Sequence, residues 1–335
     1  SASLKIHISV FRGSHNSQEV IQMKQCISIA LALFLAAAVS AETAYPVSVT
    51  TYDKDGKAIT QVFKQAPKKV ITNNLSMTEM LIELGLQDRI IGMLDPDNAV
   101  TGKYKKAIDS IPHIGNKKTV SREVVFSYEP DAVLGRNMMF SEKSLGTVGF
   151  WNENGIPIYA QKASVLNIKQ DLQNIIEDVR NLGIIFNVQD KAEAYAKQLE
   201  QRLNAVLQHI STKGTSLKKA LIMCAYNGTT FGAYKSALQE SLLNVLGYTN
   251  IATGTSGLTT ENLITMNPEL IIYVTSDRNK KLDANAVSSL QANVVLVDVP
   301  AIAQRKIMTI SYDELMDYGP AVLNALEAVD AFLRK

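Results

Sequence analysis

Apolar residues along the chain fall into short β-branched runs that alternate with stretches of helical spacing. Val70-Ile71-Thr72 reads as a strand. Ser76-Met-Thr-Glu79 follows with the spacing of a capping box, Met80, Leu81 and Leu84 share one helical face, and Gly85 stands where a C′ glycine closes a helix. Residues 89–93 and 132–134 read as further strands, and strand–helix alternation restarts at 220–226. Between 168 and 210 there is no strand signal. Leu172, Ile175, Ile176, Val179 and Leu182, then Tyr195, Leu199, Leu203, Val206 and Leu207, follow helical spacing: one long helix, broken if anywhere near Gly183–Asp190. Such alternation predicts parallel βαβ units. The expected fold class is α/β: two similar lobes with mainly parallel sheets, joined by one long helix, with a ligand cleft between them. The N-terminal lobe spans 42–166, the connecting helix 167–212 and the C-terminal lobe 213–335.

The two halves repeat each other. Ser121-Arg-Glu123 precedes Pro130-Asp-Ala-Val-Leu134, and Thr259-Thr-Glu261 precedes Pro268-Glu-Leu-Ile-Ile272. In both, a hydroxyl residue stands two before a Glu and a Pro seven after it, followed by an acid and an apolar strand. Leu84-Gly85-Leu86 is echoed by Leu246-Gly247-Tyr248. Two such lobes place a cleft at their junction, a preferred ligand site.

Residues 1–22 carry no periodicity and read as an expression remnant or upstream translated sequence. Residues 23–41 read as a secretory signal peptide: Met23-Lys24-Gln25-Cys26, an apolar run from Ile27 to Val39, and small residues Val39 and Ala41 at the cleavage site. That run is shorter than the ~20 residues of a spanning helix. Cys26 precedes it, where a lipoprotein cysteine would follow. A soluble periplasmic protein without a lipid anchor is therefore expected.

The chain has 335 residues, 46% hydrophobic, with 34 basic against 32 acidic side chains. That balance gives no ground for a nucleic-acid partner. Two cysteines and four histidines build no zinc spacing or disulfide framework, so no protein-borne metal site is expected. Gly-x-Gly-x-x-Gly, Walker and Gly-x-Ser-x-Gly motifs are missing, and no base–nucleophile pair stands out, so the chain is not expected to be an enzyme.

Ligands of open parallel sheets sit beyond the carboxyl ends of the strands. The residues following the predicted strands are Asn73 and Asn74, Asp95, Arg136, Tyr226, Arg278, and, after a strand expected at 294–299, Arg305 and Lys306. Arginines in that position suit an anionic ligand through their rigid donor fork. Arg136 and Arg278 follow equivalent strands of the repeat.

This layout resembles the periplasmic substrate-binding proteins of ABC importers in which one long helix joins the lobes and the cargo is a ferric siderophore, haem or cobalamin. The resemblance covers most of residues 45–335 and is carried by Lys68-Lys-Val-Ile-Thr72, Thr78-Glu-Met-Leu81 with Leu84-Gly85, and both Glu-x6-Pro repeats. Ser276-Asp-Arg-Asn279 resembles the ferric catecholate-siderophore branch. It implies that Arg136 and Arg278 contact the cargo, with Tyr226 or Tyr234 packing on its rings. Ser256 stands where some catecholate binders carry an iron-ligating histidine, so the iron ligands are expected mainly from the chelator. The resemblance also implies that Glu123 and Glu261 dock onto arginines of a permease dimer driven by its ATPase. The protein is expected to be a monomer without a cofactor of its own, its small-molecule partner an iron chelate. The alternatives are the same fold carrying haem, cobalamin or an oxyanion such as molybdate, and a secreted α/β hydrolase.

Overall fold

The structure, a computed structural model, describes residues 44–210 and 216–335; the upstream segment and signal peptide expected at 1–41 lie outside the described residues. Thr43–Lys335 forms one compact unit.

An antiparallel hairpin comes first, β1 (Val47–Tyr52) against β2 (Ala58–Phe63). The first sheet is fully parallel and runs in the order β4-β3-β5-β6, from β3 (Val70–Thr72), β4 (Ile90–Met93), β5 (Ala132–Gly135) and β6 (Ile158–Ala160). The second sheet contains β7 (Lys218–Cys224), β8 (Thr230–Ala233), β9 (Tyr248–Asn250), β10 (Leu258–Thr259), β11 (Leu270–Thr275) and β12 (Ile307–Ser311). Its parallel part, β9-β7-β11-β12, has the same order as the first sheet. β8 and β10 add an antiparallel margin that the first sheet lacks.

The internal duplication is therefore present in the backbone. β3 leads into helix Leu75–Glu83, and β7, after the added strand β8, into helix Ala237–Val245, nine residues each. Gly85 (φ 74°) and Gly247 (φ 80°) close those helices in the left-handed region, which costs glycine no Cβ clash. Glu129 (φ 50°) and Asn267 (φ 51°) occupy the same turn before Pro130 and Pro268.

Strand alternation divides the core. Ile71 and Val133 pack outward in the first lobe with Trp151 and Ile158, and Leu221, Met223, Ile271 and Tyr273 do the same in the second. Their strand neighbours Val70, Ala132, Leu134, Ala220, Ile222, Leu270 and Ile272 point the other way, into one cluster that spans both lobes. A period of two along each strand produces this separation. The shared cluster also takes in Leu199, Leu203, Leu323 and Leu326 of the connecting and C-terminal helices.

The connecting segment breaks where the sequence allows it. Helix Gln173–Phe186 ends at Asn187 in the left-handed conformation, and helix Gln189–His209, 21 residues long, makes the join. Arg180 pairs with Glu193 at 2.8 Å and Glu200 at 3.0 Å, tying the two helices together. Asp178 docks the first on the N-terminal lobe by accepting from Tyr159 Oη at 2.7 Å and from the N–H groups of Lys162 and Ala163. Arg202 ties the second to the C-terminal helix Ala321–Leu333 through Glu327 at 2.8 Å.

One strand is misplaced by the sequence reading. The run expected as a strand at 294–299 is a single turn, Val294–Leu296, with Val294, Val295 and Val297 exposed. Asn293 caps it, Pro300 starts a short helix, and the place beside β11 is taken by Ile307–Ser311.

Candidate ligand-binding site

The segments that follow β3, β5 and β6 meet those that follow β11 and β12. Arg136 leaves β5 with its N–H donating to Asn73 Oδ1 at 2.7 Å and its carbonyl accepting from Asn73 Nδ2 at 3.3 Å. Gly135 makes this clamp possible. Its φ is 146°, and a Cβ there would stand 2.1 Å from Asn73 Oδ1. The guanidinium, so aimed, lies 5.2 Å from the centre of the Tyr318 ring, and Tyr312 lies close enough to act on its charge.

Tyr312 directly follows β12 and is the hub of the cleft. Arg278 lies 5.4 Å from its ring centre and Lys117 5.0 Å. Tyr234 meets it edge-on with centroids 5.8 Å apart. Asp97 bridges the cations, Oδ1 to Arg278 Nη2 at 3.2 Å and Oδ2 to Lys117 Nζ at 2.5 Å. A cation over an aromatic face is attracted by the ring quadrupole, more strongly as water is removed. Ser276 Oγ is buried at the end of β11 without a partner.

Asn73, Arg136, Tyr234 and Arg278 thus converge. Asp95 shares the loop of Asp97 but is taken by His113 Nδ1 at 2.8 Å. Asn74 is buried at the lobe junction, where Nδ2 donates to Gln161 Oε1 at 2.8 Å and to Asp317 Oδ1 at 3.3 Å. Tyr226 sits in the outer core of the second lobe, its hydroxyl donating to the Gly228 carbonyl and accepting from Asn293. Arg305 is exposed in the turn that enters β12, so it stands at the amino end of that strand rather than at a carboxyl end. The displaced strand had carried this residue into the candidate set and kept Tyr312 out. Lys117, Asp97 and Tyr318 were also missed; they lie in loops where a sequence offers no period to read. Among the described residues no group of three or more His, Cys, Asp or Glu is placed to hold a metal ion.

Beneath the cleft, acids accumulate. Asp317 accepts from the Ser76 N–H at 2.6 Å, and its backbone carbonyl accepts from Ser76 Oγ. Burial pushes its carboxyl up to about 7, although Arg136 pulls the other way. Glu79 and Asp313 line a neighbouring cavity of about 520 Å³ with Asn98, Tyr104 and Arg202. Burial raises Glu79 to about 8 and Asp313 to about 6, and nearby acids add to both shifts. Carboxyls of an unfolded chain titrate near ~4. Between about pH 4 and 8 the folded state therefore binds more protons than the unfolded state, so stability falls as pH rises. The melting temperature at pH 5 is expected to exceed that at pH 8.5 by at least roughly 2–4 °C, the shift that about 1 kcal/mol produces in a mid-sized domain. A flat or opposite dependence in thermal melts would remove the buried-acid account.

The repeated glutamates occupy one structural position. Ser121 caps helix Arg122–Ser127 by accepting from the Val124 N–H, and Glu123 stands two residues after the cap. Thr259 caps helix Thr260–Met266 with a capping box, and Glu261 stands two after it. Thr259 Oγ1 donates to Glu261 Oε2 at 3.2 Å, and Ser121, a backbone N–H and Arg122 draw the Glu123 carboxyl down to about 2. Both glutamates are exposed. Val124 and Phe126 are exposed beside one and Ile264 beside the other.

Two duplicated α/β lobes, a shared core and a cationic, aromatic junction at the strand ends define a binding protein built to hold a small ligand between lobes. The chain belongs to the periplasmic binding protein family, whose profile matches residues 70–313. Its members are substrate-binding proteins rather than enzymes, and so is this chain. The uncharacterized ABC transporter substrate-binding lipoprotein YvrC of Bacillus subtilis is 24% identical over 91% of this chain and 96% of its own length. The high-affinity heme uptake system protein IsdE of Staphylococcus aureus (strain Newman) is 25% identical over 62% of this chain and 67% of its own. An ABC-type Fe3+-hydroxamate transport system structure from Saccharomonospora viridis superposes with a TM-score of 0.69 at 19% identity, covering 87% of this chain and all of that one. Among the described residues no helix is long and apolar enough to cross a membrane.

Proposed function

We propose that this protein captures an anionic ferric siderophore in the periplasm and delivers it to an ABC importer. One observation supports the reading: Arg278 and Lys117 stand over the Tyr312 ring and Arg136 over the Tyr318 ring at the strand ends. Cations on an aromatic floor match a chelate that presents negative oxygens around flat rings. The chelator supplies the iron ligands. The partner Ser276 Oγ lacks is an oxygen of the cargo. Glu123 and Glu261, one per lobe, engage the permease.

A second reading is haem. It is favoured by Tyr312, a tyrosine at the end of a strand in the cleft, which offers an axial oxygen, and by the likeness to IsdE. Calorimetric titration with a ferric tris-catecholate, a ferric tris-hydroxamate and haem distinguishes them. The tris-catecholate is expected to bind tightest; preference for haem with a tyrosinate absorption band, abolished in Tyr312→Phe, establishes the second reading instead.

A further inference from the structure

The loop that follows β4 crosses the cleft and fastens to the opposite lobe. The Asp277 N–H donates to Asn98 Oδ1 at 2.8 Å, and the Ala99 N–H donates to Asp277 Oδ2 at 2.8 Å. The Asp97 N–H donates to Asp313 Oδ1 at 3.3 Å. The Asp97 side chain, only 16% exposed, lies between Lys117 and Arg278. Both of these cations stand over the Tyr312 ring. Two of the three cations assigned to the cargo are therefore already neutralised, by a carboxylate of the protein itself.

We infer that Asp97 occupies the anion seat of the cleft and that the cargo enters by exchange, its own negative oxygens displacing the Asp97 carboxylate from Lys117 and Arg278. The inference rests on the proposed cargo class and adds to it a carboxylate of the protein that competes with the cargo. A charge-paired seat can be surrendered only to a ligand that offers comparable negative charge, because two cations left half-buried without a counter-ion are costly. A neutral ligand of similar size gains nothing from Lys117 or Arg278 while Asp97 holds them. The self-occupied state also lowers apparent affinity by the fraction of time the seat is taken. Asp97 thus competes with anionic cargo for the two cations, lowering anion affinity and keeping the seat closed to ligands of weaker negative charge. Asp95, two residues earlier, is held by His113 and does not compete.

Asp97→Asn tests this, because the amide keeps the size of the side chain and the backbone hydrogen bonds of the loop while removing the charge. Calorimetry on the full chain would compare a ferric tris-catecholate, which is anionic, with a neutral ferric tris-hydroxamate. Glu142→Gln, which changes net charge equally on an exposed surface, is the control. The expected result is at least tenfold tighter binding of the tris-catecholate by Asp97→Asn, a change of under twofold for the tris-hydroxamate, and no change in the control. Unchanged or weaker tris-catecholate binding overturns the inference, as does an equal gain for both chelates. If the wild type binds neither chelate, the cargo reading fails, and free citrate becomes the probe of the seat. No gain in citrate affinity in Asp97→Asn then overturns the exchange on its own.

Discussion

Replacing Arg136 with Ala is expected to weaken binding of an anionic ferric chelate by about 1.5–3 kcal/mol, the range for hydrogen bonds to charged groups. That corresponds to a loss of roughly ten- to 150-fold in affinity. Arg278→Ala should weaken binding in the same direction but less. Its side chain is 43% exposed and shared with Asp97, whereas the Arg136 backbone is clamped by Asn73 and its guanidinium stands over Tyr318. The Arg136 variant carries a second signature. Arg136 is the charge that favours ionised Asp317. Without it, Asp317 holds its proton to higher pH, and the melting temperature should drop more at pH 8.5 than at pH 5. Titrations and melts on one preparation check both. Unchanged affinity in both arginine variants would sink the cationic-cleft account.

Changing Glu123 and Glu261 together to Arg should abolish uptake by the reconstituted importer and leave cargo affinity within experimental error. The two carboxylates are exposed, equivalent in the repeat and remote from the Tyr312 hub in sequence and in bonding. Exposed substitutions of this kind usually shift stability by within about 0.5 kcal/mol. Charges at the rim of an interface steer and register a partner, so reversing both places like charge against like. The double Ala variant should transport poorly, and the double Arg variant worse. The measurement is uptake of chelated iron into proteoliposomes beside a binding titration on each variant. Normal transport by the double Arg variant would return both glutamates to helix-end electrostatics, where an acid near an N-terminus contributes about 0.3–1 kcal/mol.

The repeat was the most legible part of the fold. Hydroxyl–x–Glu and Glu-x6-Pro spacing point to equivalent caps, turns and strands, and the backbone places Ser121 and Thr259, Glu129 and Asn267, and β5 and β11 in matching positions. Local rules suffice there, because capping and turn chemistry act within a few residues. The error at 294–299 has the opposite origin. Val294, Val295 and Val297 have strand propensity, but a strand forms only where a partner edge is free, and Ile307–Ser311 holds that edge. Tertiary pairing overrode propensity. Asn73 and Asn74 follow a strand end as expected, yet adjacent positions diverge: one clamps the Arg136 backbone and the other joins the buried Gln161–Asp317 network. Lys117 and Asp97 reach the cleft from loops joined to Arg278 only through tertiary structure.

The central claim is that the cleft carries an anionic iron chelate. It is tested most directly by native mass spectrometry of the protein purified from the envelope of iron-starved cells, wild type beside Arg136→Ala. The account predicts one added mass per wild-type chain that contains iron and a negatively charged chelator, and its absence from the Arg136 variant. A haem, a metal-free ligand, or a chelate retained equally by both proteins would contradict it.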